Sequence, residues 1–220
     1  HDALPIFIGA TNCVFNMYGG TVKDGETLHA GGNFALYGTL NMSGGIIAGG
    51  CCLKGDSLAE GVRDEEKTSH NIYCRNGVLN MSGGLIEGYV WIRDYNGGES
   101  TVTLSGDAKI KGGSINLYLE PGDTINAGAL ASGADIRING GGYVTTETAS
   151  ANAAYIHSSY EGVETYYTEG KVFIGRFGCV CGETEHIGEC SGEILGWMPW
   201  GSTTALPTAE GNWYLLYDVN

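Results

Sequence analysis

The segments Leu40-Asn41-Met42-Ser43-Gly44-Gly45-Ile46-Ile47-Ala48-Gly49 and Leu79-Asn80-Met81-Ser82-Gly83-Gly84-Leu85-Ile86-Glu87-Gly88 are near copies of one another. An earlier partial copy, Phe15-Asn16-Met17-Tyr18-Gly19-Gly20, and a weaker later one, Val102-Thr103-Leu104-Ser105-Gly106-Asp107-Ala108-Lys109-Ile110-Lys111-Gly112, extend the series. Phe15 to Leu40 is 25 residues, Leu40 to Leu79 is 39, and Leu79 to Val102 is 23. A repeat this short cannot bury its apolar face alone, so the copies must stack on one another.

Within each copy the apolar residues alternate. Leu40 and Met42 face one way and Asn41 and Ser43 the other, as a strand with one buried face requires. A Gly-Gly corner follows, then a second apolar pair such as Ile46-Ile47 or Leu85-Ile86; segments like Phe34-Ala35-Leu36-Tyr37 supply a third side. Glycine accounts for 38 of the 220 residues and proline for only 4. That is more than double the usual glycine share of about 7% and suits repeated tight turns between short strands. The fold expected is all-β: a right-handed parallel β-helix, a solenoid of about six coils and roughly 29 Å, with strands about 4.8 Å apart. Phe15, Leu40, Leu79 and Val102 would form one inner column, and Met17, Met42, Met81 and Leu104 its neighbour. Asn16, Asn41 and Asn80 recur at one position, where they either form an amide ladder or face outward as a solvated column.

The β-helix is assigned to residues 1–144, with an inserted loop over 54–71 that accounts for the long middle spacing. That charged stretch (KGDSLAEGVRDEEKTSHN) is either a specific surface or a tolerated insertion. Residues 145–178, rich in tyrosine and phenylalanine, are expected to cap the open end of the rod, where unpaired strand edges would otherwise be exposed.

Eleven basic against 25 acidic side chains leave a net charge of −14, which disfavours nucleic acid and anionic lipid as partners. No apolar run approaches the 18 or so residues of a membrane span, so direct membrane insertion is not expected. Cys179, Cys181, His186 and Cys190 fall within twelve residues, and three thiolates with one imidazole satisfy tetrahedral zinc. Residues 179–196 are therefore read as a zinc knuckle holding a structural ion; the rival reading is a disulfide among the three cysteines, leaving one thiol free. Of the upstream cysteines, Cys52 and Cys74 either staple the base of the insertion or are small buried apolar side chains.

The tail resembles a recurring segment of very large cell-surface proteins of gut-dwelling Gram-positive bacteria. The matching residues are Cys179-Val180-Cys181-Gly182, His186, Cys190, Trp197-Met198-Pro199-Trp200, Leu206-Pro207-Thr208 and Asn212-Trp213-Tyr214-Leu215. The Asn-Met-Ser-Gly-Gly copies look like Gly-Gly-rich repeats of the same proteins. The resemblance implies an extracellular setting, on the bacterial cell surface or secreted, with further domains in the same polypeptide. It makes 197–220 a linker and the first strand of a following module, with Tyr214–Val219 expected to lack its partners. It carries no catalytic residue across.

A non-catalytic module acting in adhesion, through host glycan or glycoprotein, is the leading functional reading. Tyr89, Trp91, Arg93 and Tyr95 in GYVWIRDY are its candidate ligand-binding residues, since aromatic faces stack on the apolar faces of sugars. The competing reading of these aromatics is packing against the insertion or the cap. A polysaccharide-active lyase or hydrolase needs paired carboxylates or an acidic cluster with a base. Within the rod the only acid–base neighbours are Arg93-Asp94 and Asp135-Arg137, which alternate faces as surface pairs do. A purely structural stalk is the third reading.

Overall fold

The computed structural model describes residues 5–27, 31–52 and 70–179, together with the strands Ile194–Trp197 and Trp213–Leu216. Short alternating segments punctuated by glycine bury one side only as strands, and the described chain is nearly all β, with one 3-10 helix over Ser150–Tyr155.

The repeats stack in register. Val14–Met17, Thr39–Met42, Val78–Met81, Thr101–Gly106 and Asn126–Leu130 form a five-stranded parallel sheet in that order. Phe15, Leu40, Leu79 and Val102 are partners along one row, and Met17, Met42, Met81 and Leu104 along another, as the repeat predicts. Past the glycine corners, Thr21–Lys23, Ile46–Ala48, Leu85–Glu87 and Lys109–Lys111 stack in the same way. A third series runs through Ile6–Ile8, Phe34–Leu36, His70–Arg75, Tyr89–Arg93 and Leu117–Tyr118. Asp135–Asn139 joins the last two series, pairing through Ile136 with Ile110 and through Ile138 with Leu117. With Ile156–Ser158 also pairing Asp135–Asn139, the result is one eleven-stranded parallel sheet, curled on itself.

Inward side chains from both sheets make a single core: Leu36, Leu40, Ile47, Ile72, Leu79, Ile86, Val90, Leu104, Ile110 and Ile136 are all buried in it. The glycine corners fit tightly beneath. Gly84 has φ +87°, and a Cβ there would stand 2.6 Å from Met42 Cε and 2.8 Å from the Gly45 carbonyl oxygen, so a side chain is excluded by both conformation and space. Cys74 lies in the core with a free thiol, and burial pushes that thiol up to about 12. Of its two readings, the small buried side chain holds.

Two asparagine ladders run along the stack. The outer one is as expected: Asn41 Nδ2 donates to Asn16 Oδ1 at 2.8 Å and Asn80 Nδ2 to Asn41 Oδ1 at 2.9 Å. The inner one is new. Asn33 Nδ2 donates to Asn71 Oδ1 at 2.7 Å and to the Ala48 carbonyl at 2.7 Å, while Asn71 Nδ2 donates to the Glu87 carbonyl at 2.6 Å. Gly25 and Gly50 amides donate to Asn33 and Asn71 in turn. These amides pair corner backbone groups that no strand partner reaches.

Three boundaries differ from the expectation. The strand His70–Arg75 takes up the last two residues assigned to the insertion, because a bulge between the partners of Tyr89 and Val90 admits Asn71 to the inner ladder. Parallel stacking continues past residue 144, since Ile156–Ser158 pairs with Asp135–Asn139 before the antiparallel ribbon Glu164–Thr168 and Lys171–Cys179 begins. Val172 and Ile174 of that ribbon join the core. The strand Trp213–Leu216 has partners within the chain: it pairs antiparallel with Lys171–Cys179 and parallel with Ile194–Trp197. An extended ribbon edge offers unpaired backbone groups, and this segment meets them.

Leu79 touches a like residue above and below, so Leu79→Ala is expected to lower the unfolding free energy in urea by about 2–5 kcal/mol. The half-exposed Leu85→Ala should cost well under half of that; equal losses would contradict the stacked core.

Candidate functional site

The outer face of the third series gathers most of the exposed chemistry. Two of its strands carry the same pattern, Ile72-Tyr73-Cys74-Arg75 and Val90-Trp91-Ile92-Arg93, and they pair residue for residue. Ile72, Cys74, Val90 and Ile92 point into the core. Tyr73 under Trp91 and Arg75 under Arg93 therefore face outward as two stacked pairs.

Aromatic rings hold this face together. Tyr73 and Trp91 lie 5.1 Å apart, Tyr89 and Trp91 are stacked at 6.4 Å, and Tyr89 meets Tyr118 edge-on at 6.2 Å and His70 at 4.2 Å. Tyr89 and Trp91 are each only 2% exposed, and the Trp91 indole N–H is buried with no acceptor among the described residues. Their place is beneath the surface. Tyr95, at 40% exposure, is accessible, as is Phe7 further along the face. The Tyr95 backbone is clamped by Asn76, whose Nδ2 donates to the Tyr95 carbonyl at 2.9 Å while its Oδ1 accepts from the Tyr95 amide at 2.8 Å.

Both arginines lie on rings. The Arg75 guanidinium sits 3.5 Å from the Tyr95 centroid and 5.9 Å from that of Tyr37. Arg93 sits 5.3 Å from Trp91 and 5.9 Å from Tyr95. Among the described residues, neither guanidinium meets a carboxylate; the described ion pairs involve Lys23, Lys111 and Arg137. Phenols stand beside the two guanidiniums, Tyr37 by Arg75 and Tyr73 by Arg93. Burial raises the Tyr73 phenol, against the pull of Arg93 and Arg75, and so keeps it a protonated donor.

The other charged groups are committed locally. Asp94 turns away from Arg93, its neighbour in sequence, and its Oδ1 accepts from the Ser100 amide at 2.6 Å. Burial, aided by Asp94 and Glu120, pushes the Asp123 carboxyl up to about 6, while its Oδ2 accepts from the Glu120 amide at 3.1 Å in a turn. Asp135 joins Lys111 at 2.8 Å and Arg137 at 3.4 Å in a surface ion cluster.

The structure thus brings together the four ligand-binding candidates Tyr89, Trp91, Arg93 and Tyr95, with the first two as buried support and the last two as surface. It adds Tyr37, Tyr73, Arg75 and Tyr118. The signal for Tyr73 and Arg75 lay in the shared apolar-aromatic-apolar-Arg pattern of IYCR and VWIR. Of the zinc candidates, Cys179 ends the strand Lys171–Cys179, while Cys181, His186 and Cys190 lie outside the described residues. So does most of the insertion 54–71.

No protein-family model, curated protein or solved structure matches the chain.

Proposed function

We propose that the chain is a non-catalytic module of an extracellular bacterial surface protein and that it binds host glycan through the face formed by Tyr95, Arg75 and Arg93. The observation that carries this reading is an exposed tyrosine, Tyr95, whose backbone is clamped by Asn76 and whose ring is flanked by two guanidiniums that meet no carboxylate among the described residues. An aromatic face with adjacent donors fits a sugar ring, which presents C–H groups on its faces and hydroxyls at its edge. Fixing the Tyr95 backbone in advance also lowers the ordering cost of binding.

We further propose that the stacked repeats close into a right-handed parallel β-helix of about six coils. Its support is the register of three parallel strand series, together with the right-handed sense that parallel crossovers adopt by default. Such a rod would hold the binding face away from the cell surface. The setting rests on the resemblance of the tail to surface proteins of gut bacteria. There Cys179, Cys181, His186 and Cys190 would hold zinc, whose role would be to tie the short knuckle into one conformation. Elemental analysis of the reduced chain is expected to find one zinc per molecule, lost in Cys190→Ser; a zinc-free wild-type chain would remove the ion from the account.

A glycan array probed with the full chain tests the binding role. Some glycans should be retained, and Tyr95→Ala should weaken them between about twofold and tenfold, the worth of one aromatic contact. Failure of the folded chain to retain any glycan would leave only a stalk.

A further inference from the structure

We infer that the ligand of this face is an acidic glycan, gripped by Arg75 and Arg93 at a carboxylate or sulfate group carried by the sugar. The inference rests on the glycan-binding reading and narrows it. Four observations lead to it.

First, the two arginines are register partners on neighbouring strands, so their Cα atoms lie about one strand spacing apart, roughly 4.8 Å. Like charges on register partners repel, and a carboxylate between them would be the ordinary remedy. Among the described residues none is supplied. Asp94, the nearest in sequence, is occupied by the Ser100 amide at 2.6 Å.

Second, both guanidiniums lie over aromatic rings, Arg75 at 3.5 Å from the Tyr95 centroid and Arg93 at 5.3 Å from that of Trp91. The N–H fork of a guanidinium matches the two oxygens of a carboxylate or sulfate. Third, Tyr37 and Tyr73 contribute hydroxyls to the same cluster. Fourth, Tyr95 borders both cations, so an anionic group in the fork would lay its own sugar ring against an aromatic face.

A chain of net charge −14 repels polyanions at long range, so the attraction is local to this pair of arginines. Attraction of that kind weakens as salt shortens the screening length.

Dextran, dextran sulfate and polygalacturonate serve as probes: a neutral polymer, its sulfate ester and a carboxylate polymer. The full chain should bind at least one acidic polymer at least about tenfold tighter than dextran, and which one it binds separates sulfate from carboxylate as the recognised group. Arg75→Gln and Arg93→Gln should each weaken that binding about tenfold or more, the worth of a charged hydrogen bond. Arg75→Lys and Arg93→Lys keep the charge, lose the planar fork, and should fall between wild type and the Gln variants. Melting curves establish that each variant is folded. Equal binding of dextran and both acidic polymers, or Gln variants that bind acidic polymer as wild type does, would overturn the inference. If dextran binding is then lost in Tyr95→Ala, the broader glycan-binding reading stands without it. A folded wild-type chain that binds no polymer and no arrayed glycan sinks both.

Discussion

Parallel pairing in register places each residue directly over its counterpart in the next repeat, and nearly every feature of this molecule follows from that geometry. Stacked leucines and methionines become continuous apolar rows, so each buried side chain is covered by one of similar size on either side. Stacked asparagines become a ladder, because an amide offers both donor and acceptor along the stacking direction. Stacked charges have no such complementarity. Where the register sets Arg93 on Arg75, tyrosine and tryptophan rings stand beside the two cations, and the proposed binding face lies at that point of conflict.

Corners are the second constraint. Short strands joined by tight turns leave backbone groups that face neither a strand partner nor water, and Asn33 and Asn71 satisfy them from inside the fold. Asn116 and Asn139 act in the same way further along, with the Asn116 amide donating to Asn139 Oδ1 at 2.8 Å. Buried amides of this kind fix one register, since a slip by one residue would leave several polar groups unpaired at once.

The strand rows around Leu40, Leu79 and Val102, their glycine corners and the outer asparagine ladder were legible in the sequence, because each is a local pattern copied at a regular interval. The inner ladder was not. Asn71 sits beside the charged insertion and enters the core only through a bulge, an event that depends on which residue of the next repeat it meets. The aromatic face was half legible: GYVWIRDY drew attention, but alternation alone could not show that Tyr89 and Trp91 would lie under their neighbours while Tyr95, beyond the strand end, would stay open. Arg75 went unnoticed because its importance comes from stacking under Arg93, a relation between repeats separated by an irregular spacing.

Register across that irregular spacing is where the account is most exposed, and disulfide trapping reads it directly. In Asn41→Cys/Asn80→Cys, positions 39 residues apart in sequence are neighbours in the stack, at a distance a disulfide spans. Asn41→Cys/Thr103→Cys sets the cysteines two strands apart, about 9.6 Å and beyond reach. Peptide mapping after mild oxidation should find the 41–80 bridge in the first variant and no 41–103 bridge in the second. A 41–103 bridge, or no bridge in either folded variant, would contradict the stacking on which the rest depends.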